Sequence, residues 1–469
     1  MKRRITIVFI AMAAAVLLFI AGYFILNTEP PARIINNSAE IYINAVTPLQ
    51  NANNITVNVS KTRQTTTNGS SLTESVNQII SVNNSDTLKV EETSTIGTHS
   101  VNITEYFSES TAYVQIKDGL FSCNTNIDDY RKRLTPAVLI DSNLYQNITG
   151  IDDGKQYIIT FSQPSDPEGW CAKAAPGFLN ATGTAYVSHD GTLTQSVYEI
   201  TYTQGNAIIT LKVIAMPELS AEEIVLPENL TQYIPISYFD GPRTLERATG
   251  YLIGAQEISA VYNDSIYFQA FGEERTQSIS LFTSGASNWS ALVNTEIALN
   301  NDARNDNITN SKTELFLDGQ YKSSENGGDY NISTDVSTDN MRTYCQNLLV
   351  STVMLPHHIT DAQVTEKENT LLISFAASEE FAQIISENAC QSMYQNPNLL
   401  HEQAQENATD ALNCYLEIDK MTGFPVSSGI HYTGTYLMES IPYLLRFNAE
   451  QTYDIISLTA KDEIAKAAG

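Results

Sequence analysis

The sequence predicts an α+β protein: two tandem domains, each a curved antiparallel β-sheet forming an open half-barrel with helices on its concave face, behind one N-terminal transmembrane helix. Three observations carry this reading. An uncharged run follows a basic N-terminus. Long stretches alternate apolar and polar residues with the period of a strand that has one wet face. The same short phrases recur in the same order in both halves, as a duplicated module predicts.

Met1-Lys2-Arg3-Arg4 precedes Ile5 to Leu26, a run without a charge. At about 1.5 Å per residue this run rises about 33 Å as a helix, enough for a hydrocarbon core of about 30 Å. Basic residues before it and an acidic chain after it place the N-terminus on the cytoplasmic side. A cleaved signal peptide would have a shorter apolar stretch ending at a small-x-small site. Here the small residues Ala11 to Ala15 sit in the middle of the run, and no cysteine near its end offers a site for lipid attachment. The expectation is a single-pass protein of the cell membrane: cytoplasmic tail 1–4, signal anchor 5–26, spacer 27–36 with Pro30-Pro31, and residues 27–469 extracytoplasmic. A tail of this size leaves no room for a cytoplasmic signalling domain.

The formal charge is −27, from 26 Lys+Arg against 53 Asp+Glu. Such a field repels phosphate backbones, which excludes nucleic acid as a partner. Hydrophobic residues make up 42 % of the chain, enough for folded cores rather than disorder. The cysteines are Cys123, Cys171, Cys345, Cys390 and Cys414. In an oxidising compartment such residues pair, and an odd number leaves one over. Cys123 and Cys345 lie near the middle helix expected in each copy. Cys171 and Cys390 each follow a strand ending in Phe, so Cys123–Cys171 and Cys345–Cys390 are the candidate disulfides. Asn-x-Ser/Thr sequons are numerous, among them Asn54, Asn102, Asn147, Asn180, Asn307 and Asn331.

The echoes are Tyr113 to Gly119 with Thr313 to Gly319, Tyr186 to Asp190 with Tyr415 to Asp419, and Tyr202-Thr203 with Tyr432-Thr433. They divide the chain into a first domain, 37–216, a linker, 217–242, a second domain, 243–457, and a C-terminal tail, 458–469. Ser38 reads as a helix N-cap, with Ile41, Ala45, Val46 and Leu49 on one face of the helix that follows. Strands are expected at Thr87 to Glu91, Val101 to Phe107, Ala112 to Ile116, Gln156 to Phe161 and Ala207 to Ala215, and a helix at Asp128 to Leu139. His189-Asp190-Gly191 reads as a hairpin turn. The linker carries four prolines, and Leu226, Ile234 and Tyr238 suggest that it packs. The second copy reads as a helix at Thr244 to Ile258, then strands near 265–271, 277–283, 292–299 and 314–317. A helix follows near 339–354, with Met341, Cys345, Leu348 and Leu349 on one side. A strand at 370–375, a helix at 379–394 and closing strands near 412–418, 426–436 and 443–453 complete it. Asn396 to Asp410 has no counterpart in the first copy.

This order of helix, strands, helix and further strands resembles the LolA/LppX lipid-carrier superfamily, and more closely the half-barrel surface lipoproteins of Gram-positive bacteria. The residues behind the resemblance are the two opening helices, Tyr113 to Gly119, and the strand-turn-strand from Tyr415 to Tyr432. The last contains Asp419-Lys420-Met421-Thr422-Gly423-Phe424-Pro425, an Asp-x-x-Thr-Gly-x-Pro phrase that joins two late strands in such modules. The first copy keeps only Asp190-Gly191-Thr192, and the lipid-attachment cysteine of those lipoproteins is missing. The resemblance implies the half-barrel fold and the handling of a lipid or another apolar molecule.

No reactive motif stands against that expectation. A Gly-x-Ser-x-Gly elbow, a phosphate loop, a dinucleotide fingerprint and His-Glu-x-x-His are all missing from the sequence. His357-His358 is the tempting metal pair, but adjacent side chains diverge and rarely share an ion without a third ligand. The stretch Asn301 to Asn307 is rich in oxygen donors yet lacks the glycine and closing glutamate of a calcium loop. Asp152-Asp153 and Asp361 read as loop acids, and Trp170 and Trp289 as packing residues. The expected protein is therefore non-catalytic, with no metal and no cofactor, and binds a lipid or apolar small molecule in a half-barrel groove. The alternative is a fully packed module that contacts cell-wall polymer or protein.

Overall fold

The computed structural model describes residues 32–469 apart from 51, 68–69, 84–86, 126–144, 165–177, 205, 220–222, 270–271, 286–287, 302–305, 334, 395–410, 439–440, 458 and 469. The expected anchor at 5–26 and the expected helix at 128–139 lie outside the described residues. So do Asn396 to Asp410, Trp170 and Cys171. Among the described residues no helix is long and apolar enough to cross a membrane.

The first half opens with an edge strand, β1 (Arg33–Ile35), and helix α1 (Ser38–Gln50). Six strands follow: β2 (Ile55–Thr67), β3 (Ser70–Asn83), β4 (Thr87–Ile96), β5 (His99–Ser108), β6 (Thr111–Ile116) and β7 (Gly119–Asn124). Five more complete it: β8 (Tyr145–Asp152), β9 (Gln156–Pro164), β10 (Phe178–Ser188), β11 (Leu193–Gln204) and β12 (Ala207–Glu218). The connection to the second half contains β13 (Ile234–Pro235), which joins β7 in parallel. Tyr233, Ile236 and Phe239 bury here, so this segment packs as part of the fold.

The second half begins with α2 (Gly241–Gly254), where Pro242 occupies a first-turn position that needs no amide hydrogen. Its first strands are β14 (Ile258–Phe268), β15 (Glu273–Ser284), β16 (Ser290–Asn301), β17 (Asp306–Leu317), β18 (Gln320–Glu325) and β19 (Asn331–Ser333). Helix α3 (Thr338–Leu349), capped by Ser337, leads to β20 (Ile359–Glu366) and β21 (Thr370–Ala377). Helix α4 (Glu379–Tyr394) precedes β22 (Ala411–Asp419), β23 (Pro425–Met438) and β24 (Ile441–Ile455), and α5 (Thr459–Ala468) ends the chain.

The two sheets have one topology. Setting β1 and β13 aside, the first runs β8-β9-β10-β11-β12-β2-β3-β4-β5-β6-β7 and the second β20-β21-β22-β23-β24-β14-β15-β16-β17-β18-β19. Each is a six-stranded meander, a crossover to the far edge, and a five-stranded meander whose last strand returns to pair with the first. The neighbouring strands are antiparallel throughout each set.

This order sorts the sequence echoes. Asp190 and Asp419 sit on equivalent hairpins, β10–β11 and β22–β23, and each turns its carboxylate onto the amides that follow. The Asp190 carboxylate accepts from the Thr192 amide at 3.1 Å, and that of Asp419 from the Met421 and Thr422 amides at 3.0 and 2.7 Å. Tyr202 and Tyr432 are both buried on β11 and β23. The third echo does not align. Asp118 closes β6–β7 and Asp318 closes β17–β18, which stands one hairpin earlier in the strand order. The Asp-Gly pairs do not even share turn positions: Asp318 and Gly319 are the two loop residues of β17–β18, with positive φ of 50° and 74°, whereas the β6–β7 loop is Lys117-Asp118 and Gly119 already belongs to β7.

Helix placement departs from two self-contained modules. Helix α1 covers β8 to β11 of its own sheet through Tyr42, Ala45, Val46 and Leu49, with the Tyr42 ring edge-on to Phe161 at 4.7 Å. Helix α3 buries Met341, Cys345 and Leu349, the side the sequence predicts. Helix α2 instead lies between the sheets, on β4 and β5 of the first half and on β20 and β23 of the second. A single apolar cluster consequently runs from Val57, Val90 and Phe107 through Leu245 and Ala248 to Ile373, Ile430 and Leu445. The C-terminal segment, read as a tail, is a helix. Its Ile464 packs with Leu292 and Leu315, whose neighbours Ala291, Val293 and Phe316 point to the opposite, α3-covered face. Helix α5 therefore lies on the outer face, a correction to the expectation that helices cover only the concave side.

Candidate functional site

Alternation along β2 points Ile55, Val57, Val59, Lys61, Arg63 and Thr65 to the inner face of the first sheet. The register builds rungs across its neighbours. Val57 faces Pro217 and Ile80, Val59 faces Ala215 and Gln78, Lys61 faces Val213 and Val76, and Arg63 faces Leu211 and Glu74. Val57, Val59, Val213 and Ala215 are buried, and Ile55, Tyr198 and Leu211 pack at their margin. This apolar strip lies between the strands that α1 covers and those that α2 covers. On the second sheet the equivalent strands, β24 and β14, meet α4, whose Phe381, Ala382, Ile385 and Ala389 join the core beside Ile266, Phe268 and Leu445.

One end of the strip is charged. Glu74, Glu92 and Glu105 occupy inward positions on β3, β4 and β5, where alternation alone calls for apolar residues. The polar face of α2 answers them. Arg247 donates to Glu74 through Nε at 2.7 Å and Nη2 at 2.9 Å, and the Tyr251 hydroxyl donates to the same carboxylate at 2.8 Å. Burial alone would raise the Glu74 pKa, but Arg247 and Arg63 outweigh it and hold the carboxyl at about 2. Arg243 pairs with Glu105 and stands 3.4 Å from Glu92, which also accepts from Gln78 at 2.6 Å. Glu246 takes Lys117 at 2.7 Å and His99 at 3.3 Å. Arg63 donates to the Thr422 carbonyl at 2.9 Å, so the Asp419–Pro425 turn of the second half docks on the first.

Lys61 and Gln78 of this layer carry polar atoms that find no partner among the described residues. Among the described residues Lys61 makes no ion pair or hydrogen bond, and burial holds its ammonium below the ordinary lysine pKa, against the pull of Glu92. The Gln78 side-chain oxygen is buried and accepts nothing. Sequence reasoning missed this whole layer. Its signal was available: charged residues stand at the inward parity of β2 to β5, in line with Val59, Val90 and Ile103.

The sequence-nominated residues do not form a second centre. Cys345 and Cys414 are free buried thiols, so the candidate bridge Cys345–Cys390 is not formed, whereas the candidate bridge Cys123–Cys171 involves a residue outside the described ones. Cys123 lines the shared core on β7 and Cys345 packs between Met341 and Leu349, both as small apolar side chains. Burial pushes the Cys345 and Cys414 thiols up to about 12. The His357 and His358 rings lie 4.1 Å apart, tilted by 49°, and burial lowers the His358 pKa. Among the described residues no three His, Cys, Asp or Glu are grouped to hold a metal. Asp361 accepts from the Ser237 amide at 2.8 Å, and Asp152 and Asp153 cap the β8–β9 turn. Trp289 is a core residue with Arg342 over its ring at 5.4 Å. Asn301 and Asn307 lie on β16 and β17, and the loop between, 302–305, is outside the described residues.

Two recesses differ in kind from the strip. One of about 530 Å³ is on the outer face of β2 to β5, lined by Asn58, Ser60, Asn77, Thr93 and Asn102. Another, of about 250 Å³, lies beneath α3, where Glu314 accepts from Lys312 at 2.8 Å and from Tyr344 at 3.3 Å. Its carboxylate is satisfied, so it offers no base aimed at a substrate.

No protein-family description matches the chain, and no curated protein matches it. Among solved structures it is similar to LprF from Mycobacterium bovis, over 46 % of this chain and 91 % of that one, at 10 % identity and a TM-score of 0.25. It is also similar to OccK2 from Pseudomonas aeruginosa in complex with glucuronate, over 87 % of this chain and 99 % of that one, at 6 % identity and a TM-score of 0.09. A BenF-like porin from Pseudomonas fluorescens covers 87 % of this chain with 99 % of its own length, at 7 % identity and a TM-score of 0.11. Likenesses this distant carry no argument about ligands, and the site rests on this chain's own geometry.

Proposed function

We propose that the chain is a non-catalytic, extracytoplasmic protein, tethered to the cell membrane by residues 5–26, that takes a lipid or other apolar ligand along the inner face of its first sheet. The observation that supports this is the strip of Val57, Val59, Val213 and Ala215 between the strands held by α1 and those held by α2. A site for an apolar chain needs such side chains and few polar groups. The uncharged run at 5–26 and the acidic remainder of the chain support the tether and the extracytoplasmic side.

One observation favours a second reading. On the second sheet the corresponding strip is filled by α4, and one core cluster crosses both halves. A molecule packed in this way throughout would act through its outer faces, on cell-wall polymer or on protein. Native mass spectrometry of the gently extracted chain separates the two. Co-purifying lipid is expected. Ligand-free protein that also takes up no fluorescent fatty acid would remove the first reading and leave the second.

A further inference from the structure

The outer face of the first sheet carries an apolar row at one end. Ile34 on β1 faces Ile151 on β8, Ile151 faces Ile158 on β9, and Ile158 faces Tyr186 on β10. Strands lie about 4.8 Å apart, so the row runs about 14 Å across four of them. Its members alternate with Ile159, Ala185 and Val187, which bury beneath α1, so the row points away from that helix. Ile34 is 83 % exposed and Ile151 37 %. The neighbouring rung of the same face is Thr149, Thr160 and Thr184. Single exposed isoleucines are ordinary, but four large apolar side chains in register beside a row of hydroxyls are a surface with a partner.

The row lies where the chain enters the sheet. Arg33, the first residue of β1, pairs with Asp152 at the β8–β9 turn, and Ile34 follows it. Leu26, the last residue of the uncharged run, is seven residues before Arg33, a span of about 25 Å at most. Building on the tether proposed above, we propose that this row rests the first sheet on the outer surface of the bilayer, with the isoleucines and Tyr186 in the head-group region. An apolar surface held this close to the interface gains by entering it. A tyrosine suits that boundary, because its ring is apolar and its hydroxyl stays wet. The surface it fits is zwitterionic. Asp152, Asp153 and Asp190 stand on the two turns beside the row, with His189 bridging the turns to Asp152 at 3.0 Å. Together with a chain charge of −27, they repel an anionic surface.

The test is photolabelling of the full chain in phosphatidylcholine nanodiscs. A share of the lipid carries a diazirine at the head-group end of its acyl chain, and labelled peptides are located by mass spectrometry. Peptides of β1, β8 and β9 are expected to label about tenfold above those of β4 and β5, the factor that burying one isoleucine supports. Ile34→Glu with Ile151→Glu should bring β9 down to the level of β4 and β5, and Ile34→Leu with Ile151→Leu should keep its label. Both side chains are exposed, so an unchanged thermal midpoint is expected and reports an intact fold. Phosphatidylglycerol nanodiscs should lower the label on these strands, and a rise there would overturn the zwitterionic partner. Label confined to residues 5–26 would overturn the surface contact while leaving the tether standing. A dimer cross-linked through Ile151→Cys in that case would give the row to a second copy. No label on residues 5–26 would remove the tether on which the contact rests.

Discussion

Arg247 of the second half holds Glu74 of the first in a two-pronged ion pair, Nε to Oε1 at 2.7 Å and Nη2 to Oε2 at 2.9 Å. The two residues are 173 positions apart, and the pair is nearly sealed from solvent at the carboxylate. Such a pair adds little net stability against an apolar replacement of both partners, but removing one partner strands the other. Helix α2 is therefore committed to the first sheet by charge as well as by Leu245 and Ala248.

Acid should reveal Glu74. Its folded pKa, about 2, lies below the ordinary 4.5, so the folded state favours the ionised carboxylate. The stabilisation is complete above pH about 4.5 and is lost as pH falls from there through about 2, a loss of order 3 kcal/mol. Urea midpoints measured across this window should fall for the wild type and fall distinctly less for Glu74→Gln, which starts lower.

Gly97 and Gly254 mark how closely the halves approach. A Cβ on Gly254 would stand 2.7 Å from the Ile96 carbonyl oxygen, and one on Gly97 would stand 2.7 Å from the Gly254 Cα. Backbone cannot yield as a side-chain end can. Gly254→Ala should cost about 1–3 kcal/mol by overpacking. Gly191, whose Cβ would meet nothing, is the control: its positive φ of 88° should cost about 1 kcal/mol when replaced by Ala.

The thiols should be silent. With Cys345 and Cys414 pushed up to about 12 by burial, alkylation at pH 8 should modify neither until denaturant is added. Peptide mapping of the oxidised, non-reduced chain should return Cys345 without a partner. A recovered Cys345–Cys390 peptide would contradict the packing of α3.

Removing the C-terminal helix should expose a patch on the outer face. Ile464 is 3 % exposed over Leu292 and Leu315. Ile464→Ala should cost about 2–4 kcal/mol, read as a lowered thermal midpoint.

Much of the architecture is legible in the sequence, because strand alternation and helical spacing are local. Glu379 to Tyr394 shows its apolar stripe, Met341 and Cys345 show theirs, and Ser38 announces a helix start. What local pattern cannot give is the partner of a face. Nothing local marks the partners of Arg243, Glu246 and Arg247 on α2, since the charges that meet them arrive from strands far back in the chain. The C-terminal helix is polar enough to pass for a tail, with only Ala460 and Ile464 to bury. The Asp118 and Asp318 echo misleads because tight hairpins recruit Asp and Gly wherever they occur. The apolar strip was hidden for another reason: β2 interrupts its apolar row with Lys61 and Arg63, so the strand reads as weakly patterned.

A double-mutant cycle on Glu74 and Arg247, with Glu74→Gln, Arg247→Met and the pair together, reads the coupling between the halves from urea midpoints. Closure of the first sheet by the second half's helix predicts a coupling of about 2 kcal/mol or more, with the double variant more stable than the sum of the single losses implies. Strict additivity would mean that the two side chains do not meet, and that the halves fold without this shared interior.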